Sequence, residues 1–314
     1  MEHITVIGEA VADAFLPAGR AADGALRMEV RPGGGPLNTA VGLGRLGTPV
    51  TFAGRLAAGP FGDLFRERLA SSRVGLASSV AAAEQATLAV TAVGPSGGAG
   101  YEFYAEGTAD WQWTAAELDA IPAGARCLHT GSMALVREPG GPLIEELLAR
   151  RRAGATISID PNVRPLFAPA GRYRDRLPVW TALADVFRLS EEDLAVLAPG
   201  TAPEDACDAW HADGVRLVAV TLGARGALLS LGGERVTVPA PEIEPVDTVG
   251  AGDAFTAGLL HRLDGQGRLG GRLAGLTLAE VAAAAEFAVR HAAATCLVPG
   301  ADPPWGGGQD PSSG

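Results

Sequence analysis

The stretch Asp247-Thr248-Val249-Gly250-Ala251-Gly252-Asp253-Ala254-Phe255 sets an acidic side chain directly behind a glycine turn. Phe255, Leu259, Leu260 and Leu263 recur on one helical face, so the turn opens an amphipathic helix, expected to run to His261. Upstream, Glu234 to Pro245 is strand-like and ends in proline-rich turns. Glycine lets backbone N–H groups approach a ligand closely, and the unpaired N–H groups and dipole of a helix start favour an anion. A carboxylate in the mouth of such a site would repel a resting phosphate. It makes chemical sense as a base that takes the proton from a hydroxyl while the turn holds the phosphoryl group under attack. Asp253 is equally well explained as a helix N-cap, and the nonapeptide alone leaves both readings open.

Composition narrows the chemistry. All 25 basic residues are arginine; the chain has no lysine. That excludes a Walker-A phosphate loop, the lysine–glutamate pair of protein kinases and Schiff-base catalysis. Phosphate chemistry here must rest on backbone N–H groups, arginine and a metal ion. The net charge of −11 argues against non-specific nucleic-acid binding. Cys127, Cys207 and Cys296 are odd in number and widely separated, which suits a reducing compartment and neither a disulfide framework nor a zinc site. No apolar run is long enough to span a membrane, and the opening residues form a strand rather than a leader, so a cytoplasmic protein is expected.

The remaining elements must position the turn. Ile4 to Gly8 is a buried first strand, but Gly8 lacks the further glycines of a dinucleotide fingerprint. Asp13 follows as a turn residue, and Ala25 to Val30 is a short β-like stretch. Gly33-Gly34-Gly35-Pro36-Leu37-Asn38 opens a helix that Gly47 and Pro49 stop. Three consecutive glycines cost chain entropy with no packing return, which favours a ligand there. Val50 to Leu56 is a strand, and Phe61, Leu64, Phe65 and Leu69 stripe the next helix. Gly94 to Gly98 formally matches the Gly-x-Ser-x-Gly hydrolase elbow, but strand-like Thr87 to Val93 and Tyr101 to Ala105 flank it, so it is a hairpin tip. Thr114 with Glu117, and Thr277 with Glu280, are capping boxes. His129, on the strand Cys127 to Thr130, fits a core position. Asp160-Pro161-Asn162-Val163-Arg164 ends the strand Thr156 to Ile159, where ligands of open α/β sheets bind. Arg164 is either a phosphate contact or a salt-bridge partner of Asp160. Ser190 and Asp193 form another capping-box pattern after Val186 to Leu189. Strands Leu217 to Thr221 and Ala227 to Leu231 flank the turn Leu222-Gly223-Ala224-Arg225-Gly226.

The Asp-Thr-Val-Gly-Ala-Gly-Asp-Ala-Phe stretch resembles the C-terminal signature of the ribokinase-like (PfkB) carbohydrate kinases, and Gly-Gly-x-Pro-x-Asn followed by Ala-Val resembles their N-terminal one. The proline at 36, and Gly107-Thr108-Ala109-Asp110 after Tyr104, are closest to bacterial fructokinases. The resemblance covers roughly residues 3 to 302. It implies that Asp253 is the catalytic base and Gly250, Ala251 and Gly252 the anion hole; that Asp13, Gly34, Gly35, Asn38 and Arg164 contact substrate; and that Ser190, Thr221, Gly223, Ala224, Gly226, Gly252, Val289 and Ala292 line ATP. It implies Mg2+ with ATP, helped by Asp193, and a monovalent cation such as K+ held by Asp247, Val249 and the loop Val298 to Ala301. Two departures stand out: Ala57-Ala58-Gly59 where the family carries Gly-Asp-Asp, and Ser190 with Asp193 where it carries Asn-x-x-Glu.

The expected fold is a single α/β domain over residues 1–302, a doubly wound, mostly parallel sheet with helices on both faces. A small β lid is expected from about 12–32 and 86–108, and a disordered tail over 303–314. The expected activity is ATP-dependent phosphorylation of a sugar, fructose first, with ribose, 2-keto-3-deoxygluconate or a nucleoside as alternatives, and a homodimer meeting through the lid. A different class stays open: a sugar- or nucleotide-binding protein that has kept the fold and lost turnover.

Overall fold

The computed structural model describes residues 3–16, 23, 25–93 and 99–308. An eight-stranded sheet forms the centre, in the spatial order Glu234–Val238, Ala227–Leu231, Leu217–Thr221, Val186–Ser190, Thr156–Asp160, Ala125–Gly131, His3–Ile7, Val50–Ala53. The last six run parallel; the first two are added antiparallel as a hairpin edge. The interior strands are apolar on both faces, as burial under two helical layers requires. Leu217 and Ala219 enter one core while Val218 and Val220 enter the other. The first core takes Leu37, Leu43, Leu259, Leu260, Val281 and Ala285 from helices Gly35–Arg45, Ala251–Gly265 and Leu278–Thr295. The second takes Ile144, Leu148, Tyr173, Trp180 and Trp210 from the helices of the opposite face. The doubly wound α/β fold is as expected.

A separate four-stranded sheet, ordered Glu29–Gly33, Val11–Leu16, Thr87–Val93, Ala99–Tyr104, supplies the lid. Its last two strands pair antiparallel, as a hairpin demands. The Gly-x-Ser-x-Gly stretch at their tip lies outside the described residues.

Several boundaries differ from the sequence reading. The lid strand expected at Ala25 to Val30 lies at Glu29–Gly33, drawn along by pairing of Asp13 with Arg31 and Val11 with Gly33. The strand expected from Val50 to Leu56 is two, Val50–Ala53 and Arg55–Ala57. They break at Gly54, where a side chain would collide with the Phe52 ring. The helix after Asp253 runs past His261 to Gly265. Of the tail expected to be disordered over 303–314, residues 303–308 are described and packed through Trp305, and 309–314 lie outside the described residues. The Pro303 carbonyl accepts from Arg45 Nη1 at 2.6 Å. Trp305 lies between the guanidinium groups of Arg45 and Arg73, 5.2 and 5.1 Å from its ring centre.

Candidate active site

The helices Gly35–Arg45 and Ala251–Gly265 carry the centre of the site. Asn38 Nδ2 donates to Asp253 Oδ2 at 2.9 Å. One turn further along both helices, a Cβ on Gly42 would stand 2.7 Å from the Ala257 Cβ, so the glycine lets the helices approach close enough for that bond. Asp253 is not an N-cap. The cap position belongs to Gly250, in the left-handed region at φ 77°, with no side chain closing the helix start. The Asp253 carboxylate is instead turned toward Asn38 and Gly35. Burial pushes it up to about 6; the like charge of Asp160 works in the same direction, while Asn38, Arg188 and Arg164 oppose. A general base poised near neutrality is what proton abstraction from a hydroxyl requires.

The three glycines each have a reason. A Cβ on Gly33 would stand 1.9 Å from Asp13 Oδ2, so Gly33 leaves room for that carboxylate. Gly34 holds φ 104°, which an L side chain rarely adopts. A Cβ on Gly35 would meet Asn162 Nδ2 at 2.7 Å and Asp253 Oδ1 at 3.3 Å. Two non-glycine residues here, Asn162 at φ 37° and Ser132 at φ 59°, also hold left-handed backbone, and such strain gathers at functional sites. Burial pushes Asp13 up to about 6. Gly35 and Asn38 thus lie against the Asp253 carboxylate, and Asp13 lies beside Gly33 at the start of the same glycine run.

Beneath them, a small cavity is lined by Thr39, His129, Ser132, Asp160, Asn162 and Asp253. His129 is buried as expected, but it also faces this cavity, with Nδ1 3.0 Å from Ser158 Oγ. Burial and then Arg188 push it down to about 3, so it is neutral. Asp160 pairs with Arg188, Nη1 to Oδ2 at 2.8 Å, not with Arg164. Arg164 is exposed and its Nη1 donates to the Val163 carbonyl at 3.0 Å, on the rim of the site.

At the turn expected to line ATP, Thr221 Oγ1 accepts from Arg188 Nη2 at 2.6 Å. Gly223 and Gly226 both hold positive φ, and a Cβ on Gly226 would lie 1.9 Å from the Val238 carbonyl oxygen. Ala224 is exposed on this turn. The Leu278–Thr295 helix packs on the strands that follow, with Val289 buried in the core and Ala292 partly buried beside it. Ser190 and Asp193 form the capping box the sequence suggested. Asp193 Oδ1 accepts from Val163 N at 2.7 Å and Oδ2 from Ser190 N and Oγ at 3.0 and 2.8 Å. Both oxygens already accept from the protein, so Asp193 serves the helix start and the backbone at Val163; the resemblance implies contact with a metal only through waters. Among the described residues, no group of three or more His, Cys, Asp or Glu side chains could hold a metal ion. Asp247 Oδ2 accepts from Gly300 N at 2.8 Å and Oδ1 from Val249 N at 3.0 Å, which joins the two loops expected to hold a monovalent cation. Gly250 leaves space for Ala301 in the same junction.

Sequence reasoning missed Arg188. A charged residue inside the apolar run Val186-Phe187-Arg188-Leu189 was the signal that could have found it. The two departures also find their surroundings. Ala57 packs with Ala82 and Ala109 in a small apolar cluster, and Gly59, at φ 82°, precedes the Pro60–Ser71 helix. No helix among the described residues is long and apolar enough to cross a membrane.

Known proteins share this fold. The profile of the pfkB family carbohydrate kinases matches residues 1–305. A fructokinase of Rhizobium leguminosarum bv. trifolii is 36% identical over 232 residues, 74% of this chain and 71% of the relative. A fructokinase of Klebsiella pneumoniae is 36% identical over 271 residues, 84% of this chain and 85% of the relative. The solved structure of a Vibrio cholerae O395 fructokinase in fructose-, ADP- and calcium-bound form superimposes with a TM-score of 0.81 at 28% identity, covering 96% of this chain and 94% of that one. A Xylella fastidiosa fructokinase with bound ATP gives 0.85 at 26% identity, covering 95% and 93%. With its glycine-turn helix, its lid sheet and its Asn38–Asp253 pair in place, the chain belongs to the pfkB family of carbohydrate kinases.

Proposed function

We propose that this sugar kinase is a fructokinase, transferring the γ-phosphate of ATP to a hydroxyl of fructose. The observation that carries the chemistry is the Asp253 carboxylate: it does not cap its helix, and it lies against Gly35 and Asn38 at the mouth of the helix start. The choice of fructose rests on the two fructokinase relatives at 36% identity and on the fructose-bound structural neighbour.

In this reading the sugar lies between the main sheet and the lid, with Asp13, Gly34, Gly35 and Asn38 bonding its hydroxyls. The triphosphate lies along Ser190 and the turn Thr221 to Gly226, with adenine toward Ala292 and Val289. Asp253 takes the proton of the attacking hydroxyl, the new O–P bond forms at the γ-phosphorus, and ADP leaves with the bridging oxygen. The N–H groups of Gly250, Ala251 and Gly252, with the helix dipole, face the charge that develops on the transferred group. Arg164, on the rim, contacts a phosphate oxygen. ATP enters as its Mg2+ complex, and the ion is part of the substrate; Asp193 shapes the neighbouring backbone. Asp247, Val249 and the 298–301 loop would hold K+, which supplies further positive charge near the turn. Exposed Phe15 and Tyr104 on the lid sheet support a homodimer through the lid, and the buried free cysteines suit a cytoplasmic enzyme.

The test is ADP release from Mg-ATP with fructose, ribose, 2-keto-3-deoxygluconate and adenosine, with and without K+. The expected result is highest kcat/KM on fructose. A higher value on another acceptor overturns the substrate assignment. Binding of ATP and sugar without ADP release from any acceptor overturns the kinase reading in favour of a binding protein.

A further inference from the structure

Arg188 occupies an unusual place. It sits mid-sheet on Val186–Ser190 and is 5% exposed. Burying a guanidinium costs several kcal/mol even when it is paired, and an apolar side chain would serve the packing beside Ala219 and Phe255 as well. Its pairing is incomplete: Nη1 bonds Asp160, Nη2 bonds Thr221, and the buried Nε has no hydrogen-bond partner among the described residues. The guanidinium lies directly under the glycine turn. A Cβ on Gly252 would stand 2.7 and 2.8 Å from its two terminal nitrogens and 3.1 Å from Cζ. Gly252 is therefore glycine because Arg188 fills the space a side chain would need. The cation touches three segments that meet at the site: the end of the Thr156–Asp160 strand, the nucleotide turn at Thr221, and the start of the Ala251–Gly265 helix.

We propose that Arg188 is a positioning residue for phosphoryl transfer, its buried guanidinium fixing positive charge beneath Gly252 and holding the turn against Thr221 and Asp160. The proposal rests on the kinase reading. In a chain without lysine, and with Arg164 exposed and bonded to its own neighbour's carbonyl, Arg188 is the cation packed against the turn. Charge fixed before the reaction, in a site shielded from water, stabilises a developing anion without reorganising when it forms.

The test compares wild type, Arg188→Lys, Arg188→Met, Asp160→Asn and the double variant Asp160→Asn/Arg188→Met, all assayed for ADP formation on fructose. Removing the charge is expected to lower kcat about 100-fold, with the fructose KM within about threefold, because the interaction strengthens only in the transition state. Arg188→Lys should recover at least a tenth of wild-type kcat. The double variant also removes the Asp160 carboxylate that Arg188 pairs with, which keeps the comparison open if Arg188→Met alone does not fold; it should turn over at least tenfold more slowly than Asp160→Asn alone. A double variant as fast as Asp160→Asn would show that Arg188 only neutralises Asp160, and Arg188→Lys no faster than Arg188→Met would show that charge is not what matters; either overturns the inference. No ADP from wild type would overturn the kinase reading and this inference together, whereas an active wild type with an equally active Arg188→Met overturns the inference alone.

Discussion

Asn38 and Asp253 are 215 residues apart in the chain and 2.9 Å apart in the fold. The bond joins the helix Gly35–Arg45 to the helix Ala251–Gly265, and it lowers the carboxyl that burial raises to about 6. In wild type, kcat/KM should fall as pH drops through about 6, since protonated Asp253 cannot accept the hydroxyl proton. Asn38→Ala removes a group that favours the ionised form, so its acid limb should move to higher pH. Turnover at pH 7 should drop about tenfold or more. A pH–rate series on both proteins checks this; an unmoved limb would detach Asn38 from the base.

The helix contact below that pair makes a separate prediction. In Gly42→Ala the new methyl would stand 2.7 Å from the Ala257 Cβ, closer than packed carbons tolerate, so the helices must part. The helix-propensity gain of roughly 1 kcal/mol is outweighed by an overpacking cost of about 1–3 kcal/mol. Both Tm and kcat should fall. A variant with raised Tm and unchanged kcat would show that the helix spacing is not what sets Asn38 against Asp253.

Glu9 is fully buried behind the glycine triplet, with Oε2 accepting from Ala134 N at 3.1 Å. Burial pushes its carboxyl from 4.5 up to about 8. The folded state therefore holds a proton that the unfolded chain releases, and the stability this gives is lost as pH rises toward 8. Asp13, Asp110 and Asp253, raised to about 6, finish their contribution at lower pH. The buried histidines His129 and His291, pushed down to about 3 and 4, act below the ordinary histidine range. Between pH 6.5 and 8 the Tm of wild type should decline, and Glu9→Gln should flatten that decline. Parallel curves would contradict it.

Asp193 spends its carboxylate on Val163 and Ser190. Asp193→Ala should lower Tm by several degrees through loss of a buried cap, a change of roughly 1–2 kcal/mol. The Mg2+ concentration for half-maximal activity should stay within about twofold, since no coordination is lost. A tenfold rise would restore Asp193 to the metal site.

Much of this was legible because local chemistry and tertiary need agree. Buried strands such as Thr156–Asp160 and the capping boxes at Thr114, Ser190 and Thr277 announce themselves in a few residues. The glycine triplet and the Gly250–Gly252 turn did so because only close approach or left-handed backbone explains them. The helix Ala170–Leu183 was not legible, since Pro178 inside it reads as a stop and only packing of Tyr173 and Trp180 keeps it helical. Trp305 looked like an isolated aromatic in a glycine–proline tail, and its arginine partners lie more than 230 residues upstream. Arg188 was hidden for a like reason: its pairing with Asp160, Thr221 and Gly252 exists only once three strands and a helix converge.

The most direct measurement is the turnover of Asp253→Asn on fructose and Mg-ATP, with ATP affinity measured on the same protein by calorimetry. The asparagine keeps the size of the side chain and its contact with Asn38 but accepts no proton. The prediction is a kcat lower by about three orders of magnitude with ATP affinity within about threefold. Near-wild-type turnover would contradict the account and remove Asp253 from the mechanism.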